Sequence, residues 1–122
     1  MKLKMEVEMM KITLKDLPFK KKTYEVKQSV KNMRKTYALQ LAFAQNTDND
    51  GKSDNEIVAG ILDSFDTAIE YITKMLKLTD EQSEKLEDDL DTTQLFNIAN
   101  SIAMQLMGVN PDDLKTDEPS KE

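Results

Sequence analysis

The stretch Ser53–Lys77, SDNEIVAGILDSFDTAIEYITKMLK, is the most regular amphipathic segment of the chain and decides its fold class. Its apolar residues recur every three or four positions, as they do on one face of an α-helix. The predicted apolar stripe comprises Ile57, Ile61, Phe65, Ile69, Ile72 and Leu76, flanked by Val58, Leu62, Ala68 and Met75. The predicted outer face comprises Asp63, Asp66, Glu70 and Lys74. The pattern predicts a long helix from about Asp54 to Lys77.

The residues that precede this helix, Asn46–Ile57 (NTDNDGKSDNEI), have two interpretations. Gly51 stands at the sixth position of an EF-hand calcium loop, but the twelfth position, which needs a bidentate Glu, is Ile57. The candidate oxygen ligands would be Asn46, Asp48, Asp50 and Asp54. Ser53 followed by Glu56 is instead the capping-box pattern of a helix start. We therefore interpret the loop as an acidic linker with a strong helix cap.

A second helix is predicted upstream, from about Gln28 to Gln45, with Ser29 as its N-cap. Its apolar stripe is predicted to comprise Val30, Met33, Tyr37, Leu41 and Ala44, with Lys31, Arg34 and Lys35 on the other face.

Gly60 lies inside the long helix, where glycine lowers helix stability by roughly 1 kcal/mol relative to Ala. That cost indicates that a neighbouring element packs closely against Gly60.

Two further helices are predicted downstream. Thr79 and Gln82 repeat the capping box and start a short acidic helix that only Leu86 and Leu90 can anchor. Asp91 or Thr92 caps a last helix, which Gly108 ends. The apolar arc of this last helix comprises Leu95, Phe96, Ile98, Ala99, Ile102, Ala103, Leu106 and Met107. An arc this broad can be buried in the core, or it can leave a strip for a partner helix.

The N-terminal part alternates apolar and polar residues, which is the period of a β-strand. One set comprises Met1, Leu3, Met5, Val7 and Met9, and the other comprises Met10, Ile12 and Leu14, with Tyr24 and Val26 continuing the alternation. The slip between the two sets predicts either a bulge or an extension outside the core.

Together, these elements predict a mainly α fold: a single helical domain of three to four helices over residues 10–109, with a short N-terminal β-hairpin. Residues 1–9 are predicted to be an extension or strand, and residues 110–122 a disordered acidic tail.

Composition narrows the functional classes. The 122 residues include no cysteine, so neither a disulfide framework nor a thiolate metal site is possible. Histidine is also absent, which removes the commonest general base and transition-metal ligand. We therefore expect neither an enzyme nor a bound cofactor. The sequence shows no secretory signal and no apolar run long enough for a bilayer, which predicts a cytosolic protein without membrane contact.

Charge is divided unevenly along the chain. Residues 1–37 carry eleven Lys and Arg against four acids, net +7, while residues 38–122 carry six against nineteen, net −13. Such a split favours self-association or contact with a charged partner. Two surfaces that attract each other inside one monomer would explain it equally well.

The order of these elements resembles the tail assembly chaperones of siphophages and prophages of Gram-positive bacteria. The resemblance covers about residues 10–109: a β start at Ile12–Leu14, then Lys22–Tyr24, a helix carrying Arg34, an acidic linker, a long apolar helix, the turn Leu78–Glu81 and a final helix ending in Gly108. It implies a non-enzymatic protein of the infected host cytoplasm that coats and solubilises the tape measure protein and helps recruit tail tube subunits. It also implies absence from the mature virion and self-association, in some members into spirals or rings.

Candidate partner-binding residues follow from the basic first third and the last helix. They are Lys20, Lys21, Lys22, Lys31, Arg34, Lys35, Leu95, Phe96, Ile98, Ile102 and Met107. The alternative function is an acidic helical adaptor or a nucleic-acid-mimicking inhibitor, which would use the seven acids between Asp80 and Asp91 and the loop from Asp48 to Glu56. Direct nucleic-acid binding is disfavoured, because the acidic remainder of the chain repels phosphates.

Overall fold

The computed structural model describes residues 9–108, which form a β-hairpin followed by helices. The elements are β1 (Met9–Thr13), β2 (Thr23–Lys27), α1 (Val30–Thr47), α2 (Asp54–Leu76), α3 (Asp80–Asp89) and α4 (Thr92–Leu106). This mainly helical architecture with an N-terminal antiparallel hairpin confirms the predicted fold class. The predicted N-terminal extension or strand, residues 1–9, lies outside the described residues except for Met9, which begins β1, and the predicted acidic tail, residues 110–122, lies wholly outside them.

Local capping interactions set where each helix begins. The Ser29 hydroxyl accepts a hydrogen bond from the backbone N–H of Asn32 at 3.1 Å, which confirms Ser29 as the cap of α1. Reciprocal capping boxes pair Ser53 with Glu56, Thr79 with Gln82 and Asp91 with Gln94. Each box satisfies N–H groups that the first turn leaves without a helical partner. The predicted starts of α2 and α3 are confirmed, and Asp91 is the cap of α4.

The β-hairpin closes one end of the helical core. Ile12 pairs with Tyr24 in the antiparallel ladder, and both side chains are buried, as are Leu14 and Val26. The side-chain amide of Gln105 in α4 exchanges two hydrogen bonds with the backbone of Thr13, at 3.1 and 3.0 Å. These bonds attach the outer edge of β1 to the last turns of α4.

The core is built around the C-terminal half of α2, which packs against α1 and α4. Ala68 and Ile72 are fully buried, and so are Ile102 and Leu106 of α4. One polar contact lies within this core: the hydroxyls of Tyr71 and Thr36 are 2.7 Å apart. Buried hydroxyls that bond each other avoid the cost of losing water.

The predicted apolar face of α1 is wrong except at Met33, which packs against the core. Thr36 and Leu39 are the buried residues of this helix, whereas Val30, Tyr37 and Leu41 are exposed. The core accepts Thr36 because its hydroxyl bonds both the Tyr71 hydroxyl and the carbonyl of Asn32. Met33 and Phe43 complete the inner face, and Ala44 is exposed with the outer set.

Candidate functional site

The N-terminal half of α2 extends beyond α4, which covers the C-terminal half of α2. The ring of Phe96, in the second turn of α4, stacks on Phe65 of α2 with centroids 5.6 Å apart. The same ring meets Phe43 of α1 edge-on at 5.4 Å. These contacts place the start of α4 level with the middle of α2. At about 1.5 Å per residue, the 23-residue α2 is longer than the 15-residue α4 by about 12 Å.

This overhang exposes an apolar surface, which we call the α2 ledge and define as Val58, Ile61 and Leu62. Their exposed fractions are 55%, 46% and 57%. The ledge continues the spacing of Phe65 and Ile69, which are half-buried against the core. Single exposed apolar residues are ordinary on protein surfaces, but three neighbours on one helix face mark a candidate interaction site.

The ledge leads along α2 into a shallow groove. The groove is lined by Phe65, Ile69, Leu86, Glu87, Leu90, Asp91, Thr92 and Leu95. Its volume of about 180 Å³ lies below the roughly 300–1,000 Å³ of small-molecule sites. A groove of this size suits one or two apolar side chains of a protein partner, with Phe65 joining it to the ledge.

Asn46, near the end of α1, holds the ledge in place. Its side-chain amide donates to Asp63 at 2.9 Å and to Ser64 at 3.2 Å, both on α2. A Cβ atom at Gly60 would lie 3.2 Å from the Asn46 amide oxygen, which confirms that a neighbour packs closely there. The ledge is therefore fixed by polar contacts between α1 and α2 as well as by apolar packing.

Acidic side chains border one side of this surface. Asp66 lies exposed on α2 about 40° around the helix axis from Leu62, and Glu87 and Asp91 stand at the rim of the groove. A partner helix that carries basic residues beside its apolar stripe would match this arrangement. Among the described residues, burial raises the pKa of Tyr71 to about 12 and also raises that of Tyr24, and neither tyrosine belongs to the ledge or the groove.

The loop between α1 and α2 uses its polar groups for structure. Asn46 bridges the two helices, and the Asp48 carboxylate accepts from the backbone N–H of Asp50 at 3.2 Å. Ser53 and Glu56 cap α2. Over residues 9–108, no cluster of three or more acidic side chains is arranged to hold a metal ion.

The basic residues that the sequence suggested for partner binding lie in two places. Lys20, Lys21 and Lys22 belong to the loop between β1 and β2, where the Lys21 ammonium lies 4.8 Å from the centre of the Tyr24 ring. Lys31, Arg34 and Lys35 follow in the first half of α1, beyond the far end of β2. The five residues of β2 separate the two groups by roughly 17 Å along the strand.

The candidate residues of α4 lie mostly inside the molecule. Leu95, Ile98 and Ile102 are 6%, 2% and 0% exposed and pack in the core of the same chain. Phe96 is half-buried between Phe43 and Phe65, and Met107, the C-cap, is half-buried. Among residues 9–108, the exposed large apolar side chains belong instead to α1 and α2, apart from Met9 of β1.

The apolar periodicity of α2 predicts that the three ledge residues lie in its core stripe or on the flanks of that stripe. Periodicity identifies an apolar face but does not tell whether another element covers it. The predicted helix lengths carried the missing signal, because the last helix was too short to cover the whole of α2. That length difference leaves Val58, Ile61 and Leu62 uncovered.

Comparison with models of protein families gave a match. The family model for phage tail assembly chaperone proteins matches residues 10–121. Searches of curated proteins and of solved structures gave no match. Within residues 9–108, none of the helices combines the length and apolar character needed to cross a membrane.

Proposed function

This chain belongs to the phage tail assembly chaperone family, and from that membership we propose that it binds the tape measure protein and keeps it soluble. We further propose that it helps recruit tail tube subunits, acts without catalysis in the host cytoplasm and leaves before the virion matures. The proposed phage class is a siphophage or prophage of Gram-positive bacteria. Membership of the family by itself supports a chaperone role in tail assembly.

The observation that carries this proposal is the α2 ledge with its adjoining groove. Long coiled or amphipathic client helices expose apolar stripes that aggregate in water, and a chaperone must offer them apolar surface. Val58, Ile61 and Leu62 offer such surface on a helix whose geometry is fixed by Asn46 and Gly60. A client helix laid along the ledge would place its next apolar side chain in the groove beside Phe65.

The acidic surroundings sharpen the expected client chemistry. Asp66, Glu87 and Asp91 border the path from the ledge to the groove. Client segments with Lys or Arg beside their apolar stripe would be bound in preference to acidic ones. Because these acids are exposed, the preference weakens as ionic strength rises.

Co-expression with the tape measure protein tests the proposal. Replacing both Val58 and Leu62 with Asp puts charge on the ledge, and we expect most of the client to become insoluble. Lys74→Asp is the matched control, because it makes the same charge change of −2 at an exposed position of the same helix, about 160° around the axis from Val58 and about 120° from Leu62. The soluble fraction of the client is the readout, and thermal unfolding checks that both variants fold.

Retention of a soluble client by the Val58→Asp/Leu62→Asp protein would exclude the ledge as the binding surface. Loss of solubility with Lys74→Asp as well would point to added negative charge alone. A client that stays insoluble even with the unaltered chain would contradict tape measure binding itself.

Self-association is the second part of the proposed function. The division between a basic first third and an acidic remainder gives two copies opposite charges to bring together. We propose that the chain forms homo-oligomers during assembly. Light scattering after size exclusion, over a range of protein concentrations and at low and high salt, tests this directly, and a constant monomer mass would exclude it.

A further inference from the structure

The outer face of α1 is a second apolar surface, separate from the ledge. Val30, Tyr37 and Leu41 are 76%, 56% and 60% exposed. At about 100° per residue, Arg34, Leu41 and Asp48 lie within about 40° of one another around the helix axis, because they are spaced by seven. One strip of α1 therefore carries a cation near its start, an apolar centre and an anion at its end.

The charges of this strip oppose the dipole of the helix that carries them. The positive end of the dipole favours acids in the first turn and the negative end favours bases in the last turn, but α1 has neither. Arg34 lies in the second turn and Asp48 is the C-cap. Among residues 9–108, neither side chain has an ion-pair partner. The Asp48 carboxylate accepts from the backbone N–H of Asp50, but the order of charges along the strip gains no ion pair within the described fold, which favours a contact outside it.

A second copy of this chain supplies the complementary pattern. Arg34 and Asp48 each lie seven residues, about 10.5 Å, from Leu41. When two α1 helices pack antiparallel with their Leu41 side chains in contact, Arg34 of each copy faces Asp48 of the other. Tyr37 and Ala44 then fill the space between the apolar centre and the two ion pairs.

We propose that α1 forms a two-fold contact between two copies of this chain, centred on Leu41 and fixed in register by two Arg34–Asp48 pairs. The proposal rests on the self-association in the proposed function and names the surface and the symmetry that produce it. A two-fold contact is closed, in contrast to a head-to-tail contact between the basic third and the acidic remainder. The α2 ledge stays free for a client.

The expected contact is weak and reversible. One helix face from each copy falls at the low end of interface sizes, below the roughly 1,200 Å² of stable complexes. The ion pairs stand at the rim, where salt screens them, while the apolar centre is insensitive to salt. Dimer formation should therefore depend on protein concentration and weaken moderately as salt is added.

A single cysteine tests the symmetry, since the natural chain has none. In the full chain, Leu41→Cys should cross-link two copies on oxidation, because only a two-fold contact brings position 41 against itself within disulfide reach. Leu62→Cys, equally exposed on the ledge, is the matched control and should stay largely uncross-linked. Equal cross-linking of both variants, or of neither, would overturn the proposal.

Charge reversal tests the register. Arg34→Glu and Asp48→Arg should each raise the dimer dissociation constant about tenfold or more, because each places like charges opposite each other twice. The Arg34→Glu/Asp48→Arg double variant should restore dimerisation, and so should a mixture of the two single variants. Light scattering gives the mass, and a mass that rises beyond two chains through the same residues would replace the two-fold contact with a head-to-tail one.

Separate measurements distinguish absence of the two-fold contact from absence of client binding. Cross-linking and mass are measured on the chain alone, whereas client solubility is measured in co-expression. Leu41→Asp should abolish the dimer and leave the ledge intact. If Leu41→Asp instead abolished client solubility and left the mass unchanged, the outer face of α1 would bind the client and the two-fold contact would be excluded.

Discussion

The two halves of α2 follow the same apolar spacing but have opposite environments. In the C-terminal half, Ala68, Ile72 and Met75 are at most 3% exposed. In the N-terminal half, Val58 and Leu62 are more than half exposed. The difference arises from the neighbour, because α4 starts level with Phe65 and covers only the C-terminal half. One continuous stripe thus supplies a core at one end and an exposed apolar surface at the other.

The largest difference between the two halves of α2 is expected in the free energy of unfolding, when one apolar side chain in each half is replaced by Ala. Ile72→Ala should lower the free energy of unfolding by about 2–5 kcal/mol, because it removes a fully buried side chain and leaves a cavity. Leu62→Ala should cost less than about 1 kcal/mol, since water already contacts most of this side chain. Urea unfolding followed by circular dichroism measures both, and equal losses would mean that the ledge is covered in solution.

The pH dependence of unfolding probes the buried half by itself. Burial raises the pKa of Tyr71 to about 12, and the bond to Thr36 partly opposes that shift. Below pH 10, Tyr71 is protonated in both the folded and the unfolded chain, so it adds no pH dependence to the free energy of unfolding. Above pH 10 the unfolded chain releases the proton while the folded chain retains it, so stability falls by roughly 2 kcal/mol between pH 10 and about 12.

Two phenylalanine variants isolate this effect. Tyr71→Phe should remove most of the loss between pH 10 and 12, whereas Tyr37→Phe, on the exposed face of α1, should keep it. Urea unfolding at several pH values gives the slopes. An unchanged slope in Tyr71→Phe would show that another group causes the alkaline loss.

Most element positions could be predicted because their signals are local. Ser29, Ser53 and Thr79 each cap a helix through a residue three positions later, and such contacts need no knowledge of the fold. The alternation through Ile12 and Tyr24 likewise identified the hairpin. Local chemistry therefore determined where elements begin and which type they are.

The buried face of α1 could not be predicted because it depends on a distant residue. Thr36 occupies the core through Tyr71, which lies 35 positions later in the chain. A polar residue at that position normally indicates the outer face, and the apolar Tyr37 and Leu41 satisfied the same spacing. The ledge is intermediate between these two cases in how far it can be predicted. The predicted lengths of α2 and α4 show that α4 leaves part of α2 uncovered.

The cap of α2 offers a smaller test, in the exposed half. Ser53→Ala removes the hydroxyl that accepts from the Glu56 N–H, and should cost about 1 kcal/mol. Without α4 beside it, the first turns of α2 should fray before the rest unfolds. Amide hydrogen exchange should therefore quicken at Ile57 and Val58 but not at Ile72, and uniform quickening along α2 would contradict the comparison.

The smallest effect is expected at Gly60, where α1 meets the exposed half of α2. Gly60→Ala should gain up to about 1 kcal/mol of helix propensity, but its Cβ would lie 3.2 Å from the Asn46 amide oxygen. Asn46 cannot easily move away, because Asp63 and Ser64 hold its amide nitrogen. The gain should therefore be small in the natural chain and approach its full size once Asn46→Ala removes the contact. A double-mutant cycle from urea unfolding should give a coupling of at least about 0.5 kcal/mol between the two sites. Strict additivity would mean that α1 and α2 separate at this end, and the ledge would then be a flexible surface.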